Sequence, residues 1–446
     1  MSNSRRIAVI GGGITGLAAA HAVVSDGAQV VLFETRSTVG GVIRTTPFAG
    51  HPAIDEGADA FLARVPWAVD LARAVSLGDT LTSPAAGRAA VWWNGLHDIP
   101  EGLLLGLPTD VFALARSPLL SPRGKLRAAT EVLRPRSNSD VDSIGSYVRS
   151  RFGDEVHERL VDPLVGSIYA ADTDDFSLAA IPQLAELAAH SRSVLLARRR
   201  SSAPPSGPVF YAPAAGMGAL VEAIAATVIA AGGELRCDRT IGELAADGER
   251  WRVDGEQFDG VVLACPARAA AALLLGFEAS IASTLAAIPT AGVALLTLAL
   301  PAEPWPARLR GLSGYLVPKP QQRLVTAVSF GSQKWAHWAS PDHVVLRVSL
   351  GRDGLPALHL SDGDLLAAAR AELETHLGVK SDPTAVRVSR WPDSFPQYRP
   401  HHGAAIAATE RLLPRGIALA GASYHGIGIP ACIRSAQQAA RVLMHL

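Results

Sequence analysis

Residues 5–37, "RRIAVIGGGITGLAAAHAVVSDGAQVVLFETRS", decide the fold of the N-terminal part of the chain. The apolar run "IAVI" predicts a short buried strand, "ITGLAAAHAVVSDG" a helix that ends at Gly27, and "QVVLFE" a second strand. Gly11, Gly13 and Gly16 form the pattern G-x-G-x-x-G between the first strand and the helix. In such a turn the first glycine permits the tight bend, the second lets a diphosphate approach the backbone, and the third lets the helix pack closely on the strand. The stretch therefore predicts a nucleotide-binding βαβ unit rather than a turn of purely structural importance.

Glu34 closes the second predicted strand and indicates which nucleotide is bound. A carboxylate at this position accepts hydrogen bonds from ribose hydroxyls and disfavours a phosphorylated ribose. We therefore expect FAD or NAD rather than NADP. The residues that the unit predicts at the cofactor are Gly11, Gly12, Gly13, Ile14, Thr15, Gly16 and Glu34.

Composition narrows the class of protein. The chain has 446 residues, of which 48% are hydrophobic and 18% charged, so it is long and apolar enough for two or three packed domains. Lys plus Arg and Asp plus Glu number 41 each, which leaves no basic surplus to favour nucleic acid. The three cysteines have no CxxC spacing, which argues against a disulfide framework and suits a reducing compartment. The beginning, "MSNSRRIAVIGGG", has no signal-peptide core, so a cytoplasmic protein is expected.

Residues 279–302 carry no charge and are numerous enough to span a bilayer. Pro289 and Gly292 interrupt the stretch, and "GVALLTLAL" is typical of a buried strand. We therefore predict a strand here and no transmembrane segment.

Two segments after the βαβ unit resemble the flavin amine oxidase and protoporphyrinogen oxidase superfamily. "ETRSTVGGVIRT", residues 34–45, is similar to its E-x-x-x-x-x-G-G segment. "IDEGADAFLARVP", residues 54–66, is similar to its D-x-G-P-x-x-F pattern, except that Ala58 replaces the proline. In the superfamily the nucleotide is FAD and the paired glycines pass near its diphosphate and ribityl chain. The resemblance places these residues at the cofactor: Thr35, Gly40, Gly41, Val42, Arg44, Gly57, Ala58, Asp59 and Ala60.

Later segments extend the resemblance over the whole chain. "GASYHGIGIPACI", residues 421–433, resembles the closing motif of protoporphyrinogen and coproporphyrinogen oxidases, in which a helix N-terminus points at the flavin ring. Its N–H groups can stabilise the negative charge of a reduced flavin. "GELRCDRTI" resembles the strand that touches the adenine, and "WPDSFPQYRPHH" resembles a W-x-x-x-x-P-x-Y pattern. The further residues that the resemblance places at the cofactor are Thr240, Trp391, Ala422, Ile427, Gly428 and Ile429.

The predicted fold is α/β, with three parts. A discontinuous Rossmann-type FAD-binding domain takes residues 1–85, 206–266 and 403–446. A helical insertion covers 86–205, and an antiparallel-sheet substrate domain covers 267–402. The insertion ends in "ARRRSSAPPSGP", whose arginines, Arg198, Arg199 and Arg200, leave open either a peripheral contact with anionic lipid or plain solvation.

The resemblance implies an oxygen-dependent oxidation of a porphyrinogen. Flavin N5 takes up a hydride, oxygen regenerates the flavin, and hydrogen peroxide is released; no side chain is assigned as catalytic base, and no metal is expected. Coproporphyrinogen III is the favoured substrate and protoporphyrinogen IX the alternative. Arg64 is the candidate for holding a propionate, against a solvated arginine, and Tyr169 the candidate wall for the macrocycle, against a core aromatic.

The sequence is also compatible with other functions. A flavin amine oxidase or a carotenoid-type desaturase shares the fold, but amine oxidases line the flavin with an aromatic cage where this chain has isoleucines and glycines. A non-enzymatic flavoprotein or porphyrin carrier is the third reading, and catalytic turnover separates it from the enzymes. A transient complex with ferrochelatase, the next heme-pathway enzyme, is compatible with the enzyme reading. His401 and His402 are expected to be loop residues without a metal, since no third ligand lies nearby in the sequence.

Overall fold

The computed structural model describes residues 5–100, 103–109, 111–135, 142–197 and 207–445. The arginines 198–200 of the candidate lipid contact lie outside these ranges. The strands are β1 (Arg6–Ile10), β2 (Gln29–Phe33), β3 (Thr45–Phe48), β4 (His51–Asp55), β5 (Phe61–Leu62), β6 (Leu81–Thr82), β7 (Arg88–Trp92), β8 (Leu96–Asp98), β9 (Leu103–Leu104), β10 (Leu107–Pro108), β11 (Phe210–Pro213), β12 (Glu234–Arg236), β13 (Leu244–Asp247), β14 (Arg250–Val253), β15 (Glu256–Phe258), β16 (Gly260–Leu263), β17 (Thr290–Pro301), β18 (Leu312–Leu316), β19 (Val325–Phe330), β20 (His343–Leu350), β21 (Ala385–Pro396) and β22 (Ile417–Leu419). The helices are α1 (Ile14–Ser25), α2 (Pro66–Ala74), α3 (Val111–Arg116), α4 (Pro122–Ala129), α5 (Ile144–Phe152), α6 (Asp154–Val156), α7 (Asp162–Tyr169), α8 (Pro182–His190), α9 (Val194–Ala197), α10 (Gly218–Ala230), α11 (Ala267–Leu274), α12 (Ala279–Ala286), α13 (Gly331–Lys334), α14 (Asp362–Leu377), α15 (His402–Leu412) and α16 (Ile429–Met444).

The predicted βαβ unit forms the centre of a five-stranded sheet. The strand order is β12-β2-β1-β16-β22, and every neighbouring pair is parallel. β1 is apolar from Ile7 to Ile10 because both of its faces are covered there: Ile7 and Val9 share a core with α1, α10 and α16, whereas Ala8 and Ile10 pack with Trp251 on the other side. The strands come from three separate parts of the sequence, so this Rossmann-type sheet is discontinuous, as predicted.

A second sheet has seven strands in the order β21-β17-β20-β19-β18-β7-β8. All neighbours are antiparallel except β18 and β7. Helix α14 packs on it through Leu365, Ala369 and Leu373. β7 and β8 fall within residues 86–205, the predicted helical insertion, so the first strands of that segment belong to the seven-stranded sheet.

The uncharged stretch 279–302 is divided between α12 and the buried strand β17, so the predicted strand is confirmed. β17 lies between β21 and β20, with Leu296, Leu298 and Leu300 in the core under α14. Within the described ranges, no helix is long and apolar enough to cross a membrane.

Helices α3 to α9 share a separate core, which includes Val148, Phe152 and Leu160. A buried ion pair joins this helical part to the seven-stranded sheet, since Arg352 donates to both carboxylate oxygens of Asp162 at 2.9 and 2.8 Å. The backbone N–H of Asp353 also donates to the Ala170 carbonyl at 2.8 Å. The first contact holds the N-terminal end of α7 and the second its C-terminal end, so the whole helix is fixed against the sheet.

Candidate active site

Two glycines of the turn after β1 are required by the fold itself. Gly11 has φ +109°, and a Cβ there would lie 2.8 Å from the Ala264 carbonyl oxygen. A Cβ at Gly16 would overlap the carbonyl oxygen of Gly11, so only glycine lets α1 approach the turn this closely. Both observations agree with the roles predicted for the first and third glycines.

Gly13 is different, because nothing in the protein demands a glycine there. Its φ of −70° and ψ of −179° suit any residue, and a Cβ would meet no atom within 4 Å. Gly13 caps the N-terminus of α1, whose first N–H groups have no partner within the helix. An open face beside free N–H donors and a positive helix end fits a diphosphate that approaches the backbone.

Glu34 and the paired glycines complete this end of the site. The Glu34 carboxylate accepts hydrogen bonds from the backbone N–H groups of Gly12, at 2.6 Å, and Arg36, at 2.9 Å. A carboxylate has about four acceptor positions, so two remain for ribose hydroxyls. Gly40 donates to the Gly12 carbonyl at 2.8 Å, and a Cβ at Gly41 would lie 3.2 Å from the Cα of Gly13. The structure thus brings the two predicted glycine segments together.

The C-terminal motif reaches the same region. Gly428 has φ +109° and caps α16, and a Cβ there would meet no atom within 4 Å. At the start of the motif, a Cβ at Gly421 would lie 3.1 Å from Thr15 Oγ1, in the first turn of α1. The N-terminal ends of α1 and α16 therefore lie side by side, separated by more than 400 residues of sequence.

Residues 56–60 are held between the two sheets. The Trp391 indole N–H donates to the Glu56 carbonyl at 3.0 Å, and the Arg347 guanidinium donates to the Gly57 carbonyl. Asp59 pairs with Lys334 at 2.8 Å and with Arg347 at 3.5 Å. Burial acts to raise the pKa of Asp59, but the two cations outweigh it and hold this pKa well below the ordinary value. The carboxylate of Asp59 is thus engaged by the seven-stranded sheet, so a cofactor contact here falls to the backbone of 57–60.

Asp55 anchors the helix that packs under this segment. Its Oδ1 accepts from Thr45 Oγ1 at 2.5 Å and from the Met217 N–H at 2.9 Å, just before α10. Its Oδ2 is buried without a hydrogen-bond partner among the residues that the structure describes. Burial raises the pKa of Asp55 to about 6, and the hydrogen bonds oppose the rise only partly.

Arg64 lies beside exposed apolar side chains. Its side chain is exposed, and the described part of the chain provides it with no ion-pair partner. The neighbouring Ala63 N–H donates to the Val209 carbonyl at 2.8 Å, and Leu62 pairs with Phe210, which is 40% exposed. A cation next to an apolar surface suits an amphiphilic molecule that carries carboxylates.

Tyr169 lies at the C-terminal end of α7 and is partly buried. Its ring stacks on Phe176 with centroids 5.3 Å apart. Ile427 of the C-terminal motif packs against the same helical core as Tyr169. The candidate wall and the motif therefore pack against one helical core.

The other predicted cofactor residues have mixed surroundings. Thr35, Thr240 and Val42 are exposed, and Arg44 pairs with Glu56 at 3.4 Å. The N–H of Arg239, next to Thr240, donates to the Glu34 carbonyl at 2.8 Å, which brings this loop to the predicted ribose position.

Two residues at the site were not predicted from the sequence. Arg347 ties residues 57 and 59 to β20, and the hydroxyl of Tyr398 contacts the C-terminal motif. An arginine inside the apolar run "HVVLRVSLG" was the only sequence signal for the first. Tyr398 belongs to the quoted W-x-x-x-x-P-x-Y pattern, but the pattern does not show what its hydroxyl contacts.

The two histidines are not both in a loop. His401 caps α15, and His402, the first residue of that helix, is buried and stacks on Tyr398. The expectation is wrong for His402 because its ring completes an apolar contact that the sequence does not reveal. Burial lowers the pKa of His402 to about 4, so the ring is neutral at pH 7. Among the described residues, no cluster of three or more His, Cys, Asp or Glu could hold a metal ion.

The parallel sheet, the open face at Gly13 and the acceptor Glu34 together are typical of a Rossmann-type nucleotide-binding fold. The family of flavin-containing amine oxidoreductases matches residues 14–444, and the chain belongs to that family. It is a flavin-dependent oxidoreductase.

Relatives match along nearly the full length. The chain is 33% identical to coproporphyrinogen III oxidase of Mycobacterium tuberculosis, over 98% of this chain and 96% of the relative. It is 30% identical to coproporphyrinogen III oxidase of Bacillus subtilis, over 97% of both chains. The crystal structure of a proposed protoporphyrinogen oxidase from Exiguobacterium superposes with a TM-score of 0.86 at 31% identity and covers 100% of both chains.

Proposed function

We propose that the protein oxidises coproporphyrinogen III to coproporphyrin III, with FAD as cofactor, oxygen as electron acceptor and hydrogen peroxide as product. The proposal is supported by the full-length similarity to proteins of that name. Within the family, the surroundings of the C-terminal motif favour it over amine oxidation. Tyr398, Tyr424 and Trp391 are only 5%, 3% and 7% exposed, and each directs its polar group at a backbone carbonyl. They do not form an aromatic cage open to an amine.

In this proposal Gly13, Gly40 and Gly41 would hold the diphosphate of FAD, and Glu34 would accept hydrogen bonds from its ribose. The N-terminus of α16 would face the flavin ring. When bound, FAD supplies the two-electron acceptor that oxygen regenerates, so the six-electron oxidation of the macrocycle takes three rounds. The N–H groups that begin α16 stabilise negative charge next to Gly428 and Ile429.

The substrate is held by the residues around this point. Arg64, whose guanidinium has no ion-pair partner among the described residues, binds a propionate carboxylate of the substrate. Tyr169 and Ile427 present an apolar wall that keeps the macrocycle in place and excludes water. Coproporphyrinogen III has four propionates and protoporphyrinogen IX two, so a cationic mouth favours the former.

The test is porphyrin fluorescence after the purified protein is mixed in air with either porphyrinogen, with peroxide followed in parallel and autoxidation subtracted in enzyme-free controls. Faster turnover of coproporphyrinogen III is the expected result. Preference for protoporphyrinogen IX would move the reaction to that substrate. No turnover of either, in a flavin-loaded protein, would overturn the proposal in favour of an amine oxidase or a carrier.

A cytoplasmic location and a transient complex with ferrochelatase belong to the same proposal. All three cysteines are free, as suits a reducing compartment. Cross-linking with purified ferrochelatase tests the complex, and co-sedimentation with anionic vesicles tests the peripheral lipid contact. A protein that neither cross-links with ferrochelatase nor sediments with anionic vesicles would contradict both the complex and the lipid contact.

A further inference from the structure

The hydroxyl of Tyr398 ties together two points of the C-terminal motif. It donates a hydrogen bond to the Ala422 carbonyl at 2.6 Å and accepts one from the Gly426 N–H at 2.8 Å. One side-chain atom thus closes the chain between residues 422 and 426.

The segment forms a turn, in which the N–H groups of Tyr424 and His425 both donate to the Gly421 carbonyl, at 3.0 and 3.1 Å. Gly421, Gly426 and Gly428 all have positive φ, at +115°, +111° and +109°. Glycine loses more conformational freedom on folding than any other residue, so a segment with three of them needs contacts from outside to stay in place. Tyr398 supplies such contacts just before the N-terminus of α16.

Tyr398 is itself fixed on both faces. Its ring lies parallel to that of His402, with centroids 3.8 Å apart, and stacks on Phe176 at 6.2 Å. Phe176 in turn stacks on Tyr169. The backbone carbonyl of Tyr398 accepts from the Ser177 N–H at 2.7 Å. An aromatic column of Tyr169, Phe176, Tyr398 and His402 therefore runs from the candidate substrate wall to the motif.

We infer that Tyr398 is a positioning residue that holds the flavin-facing segment 422–428 and couples its position to the Tyr169 wall. The inference rests on the proposed placement of the flavin ring at α16. The column lets a displacement of Tyr169 by the macrocycle reach the turn in front of the ring through packed side chains. Tyr398 acts through the backbone of this turn and takes no part in the chemistry.

The test compares Tyr398→Phe with Tyr315→Phe in the FAD-loaded protein. Both changes remove one buried hydroxyl, but that of Tyr315, in β18, bonds with His376 Nδ1 at 3.0 Å, outside the C-terminal motif. Of the two hydroxyls, that of Tyr398 contacts the backbone of the motif. Hydrogen exchange of peptides that cover residues 420–430 should become about tenfold faster in Tyr398→Phe, the effect of losing one ordinary hydrogen bond, and should stay unchanged in Tyr315→Phe.

The flavin reports the same change without any turnover. Loosening the turn weakens the stabilisation of the reduced flavin by α16, so the midpoint potential should shift to more negative values in Tyr398→Phe alone. In assays, kcat should fall more than KM rises. Equal exchange rates and equal potentials in the two variants would overturn the inference, even if porphyrinogen turnover is confirmed.

Phe176→Leu tests the coupling independently, because it keeps the Tyr398 hydroxyl and breaks the column. Exchange of residues 420–430 should rise about two- to fivefold, an effect below that of losing the hydroxyl. Exchange at the wild-type rate would show that the turn does not depend on the column. Both exchange experiments still test the inference if porphyrinogens prove not to be substrates, because they need only bound FAD and no turnover.

Discussion

The substitution Gly13→Val tests whether Gly13 is needed for cofactor binding, in contrast to Gly11 and Gly16, which the fold itself requires. Gly13 has φ −70° and ψ −179°, which suit any residue, and the new Cβ would meet no atom of the described residues within 4 Å. The apoprotein should lose only about 0.5–1 kcal/mol of stability, the cost of a poor helix N-cap. The FAD-loaded state should lose much more, because the added methyl groups stand where the diphosphate approaches.

The expected loss of affinity follows from the contacts removed. Hydrogen bonds from backbone N–H groups to a charged phosphate contribute about 1.5–3 kcal/mol each. Loss of one weakens FAD binding roughly ten- to hundredfold, and loss of two leaves the purified protein colourless. Gly16→Ala is the matched control, since its Cβ would overlap the Gly11 carbonyl oxygen and force α1 away from β1. That overpacking should cost about 1–3 kcal/mol with or without cofactor.

FAD titrations followed by absorbance, and thermal unfolding of the apoproteins, give the two quantities. Gly13→Val should bind FAD poorly and unfold near the wild-type temperature, whereas Gly16→Ala should unfold earlier even as apoprotein. A yellow, fully loaded Gly13→Val protein would refute the nucleotide assignment. An apoprotein as unstable as Gly16→Ala would show that the protein itself needs this glycine.

Three further predictions concern other sites. Arg64→Ala should raise KM for coproporphyrinogen III about tenfold or more, with an unchanged flavin spectrum, and Arg64→Lys should recover part of the loss; an unchanged KM removes Arg64 from the site. Burial raises the pKa of Asp55 to about 6. The protonated carboxyl group therefore adds up to about 3 kcal/mol to the free energy of unfolding, a contribution that is complete below pH about 4 and is lost as pH rises through 6. The melting temperature of Asp55→Asn should therefore rise relative to that of the wild type between pH 4.5 and 7.5. A difference in melting temperature that stays constant over this range would contradict the raised pKa of Asp55. Arg352→Met leaves Asp162 buried without its cation and should cost about 3–5 kcal/mol, whereas Arg352→Met combined with Asp162→Leu should cost clearly less in denaturant unfolding. Equal losses in the single and double variants would mean that the pair contributes only packing.

Much of the fold and the cofactor end of the site was predictable from the sequence. The βαβ unit needs only neighbours within about 30 residues, so the apolar runs and glycine spacing of 5–37 suffice to predict it. Strand β17 was likewise predictable, because Pro289 and Gly292 interrupt the uncharged stretch. Spacing alone did not distinguish Gly13, which the protein leaves open, from Gly11 and Gly16, which it crowds.

The rest depends on contacts between residues far apart in the chain. Whether Asp59 faces a cofactor or an ion pair was decided by Lys334 and Arg347, more than 270 positions away. The start of the helical part was decided by a contact that is distant in sequence. β7, at the N-terminal end of the predicted insertion, pairs with β18, more than 200 residues later, and so belongs to the seven-stranded sheet.

The sequence by itself thus determined the nucleotide-binding unit and the glycine-rich helix start at residue 428, because both are written in short, periodic patterns. Only the tertiary structure decided that α1 and α16 begin side by side and that Tyr398 closes the turn between residues 422 and 426. The hydroxyl of Tyr398, just after β21, contacts the Ala422 carbonyl and the Gly426 N–H, which lie 24 and 28 positions further along the chain. Local periodicity records which face of an element is buried, but not which distant partner covers it.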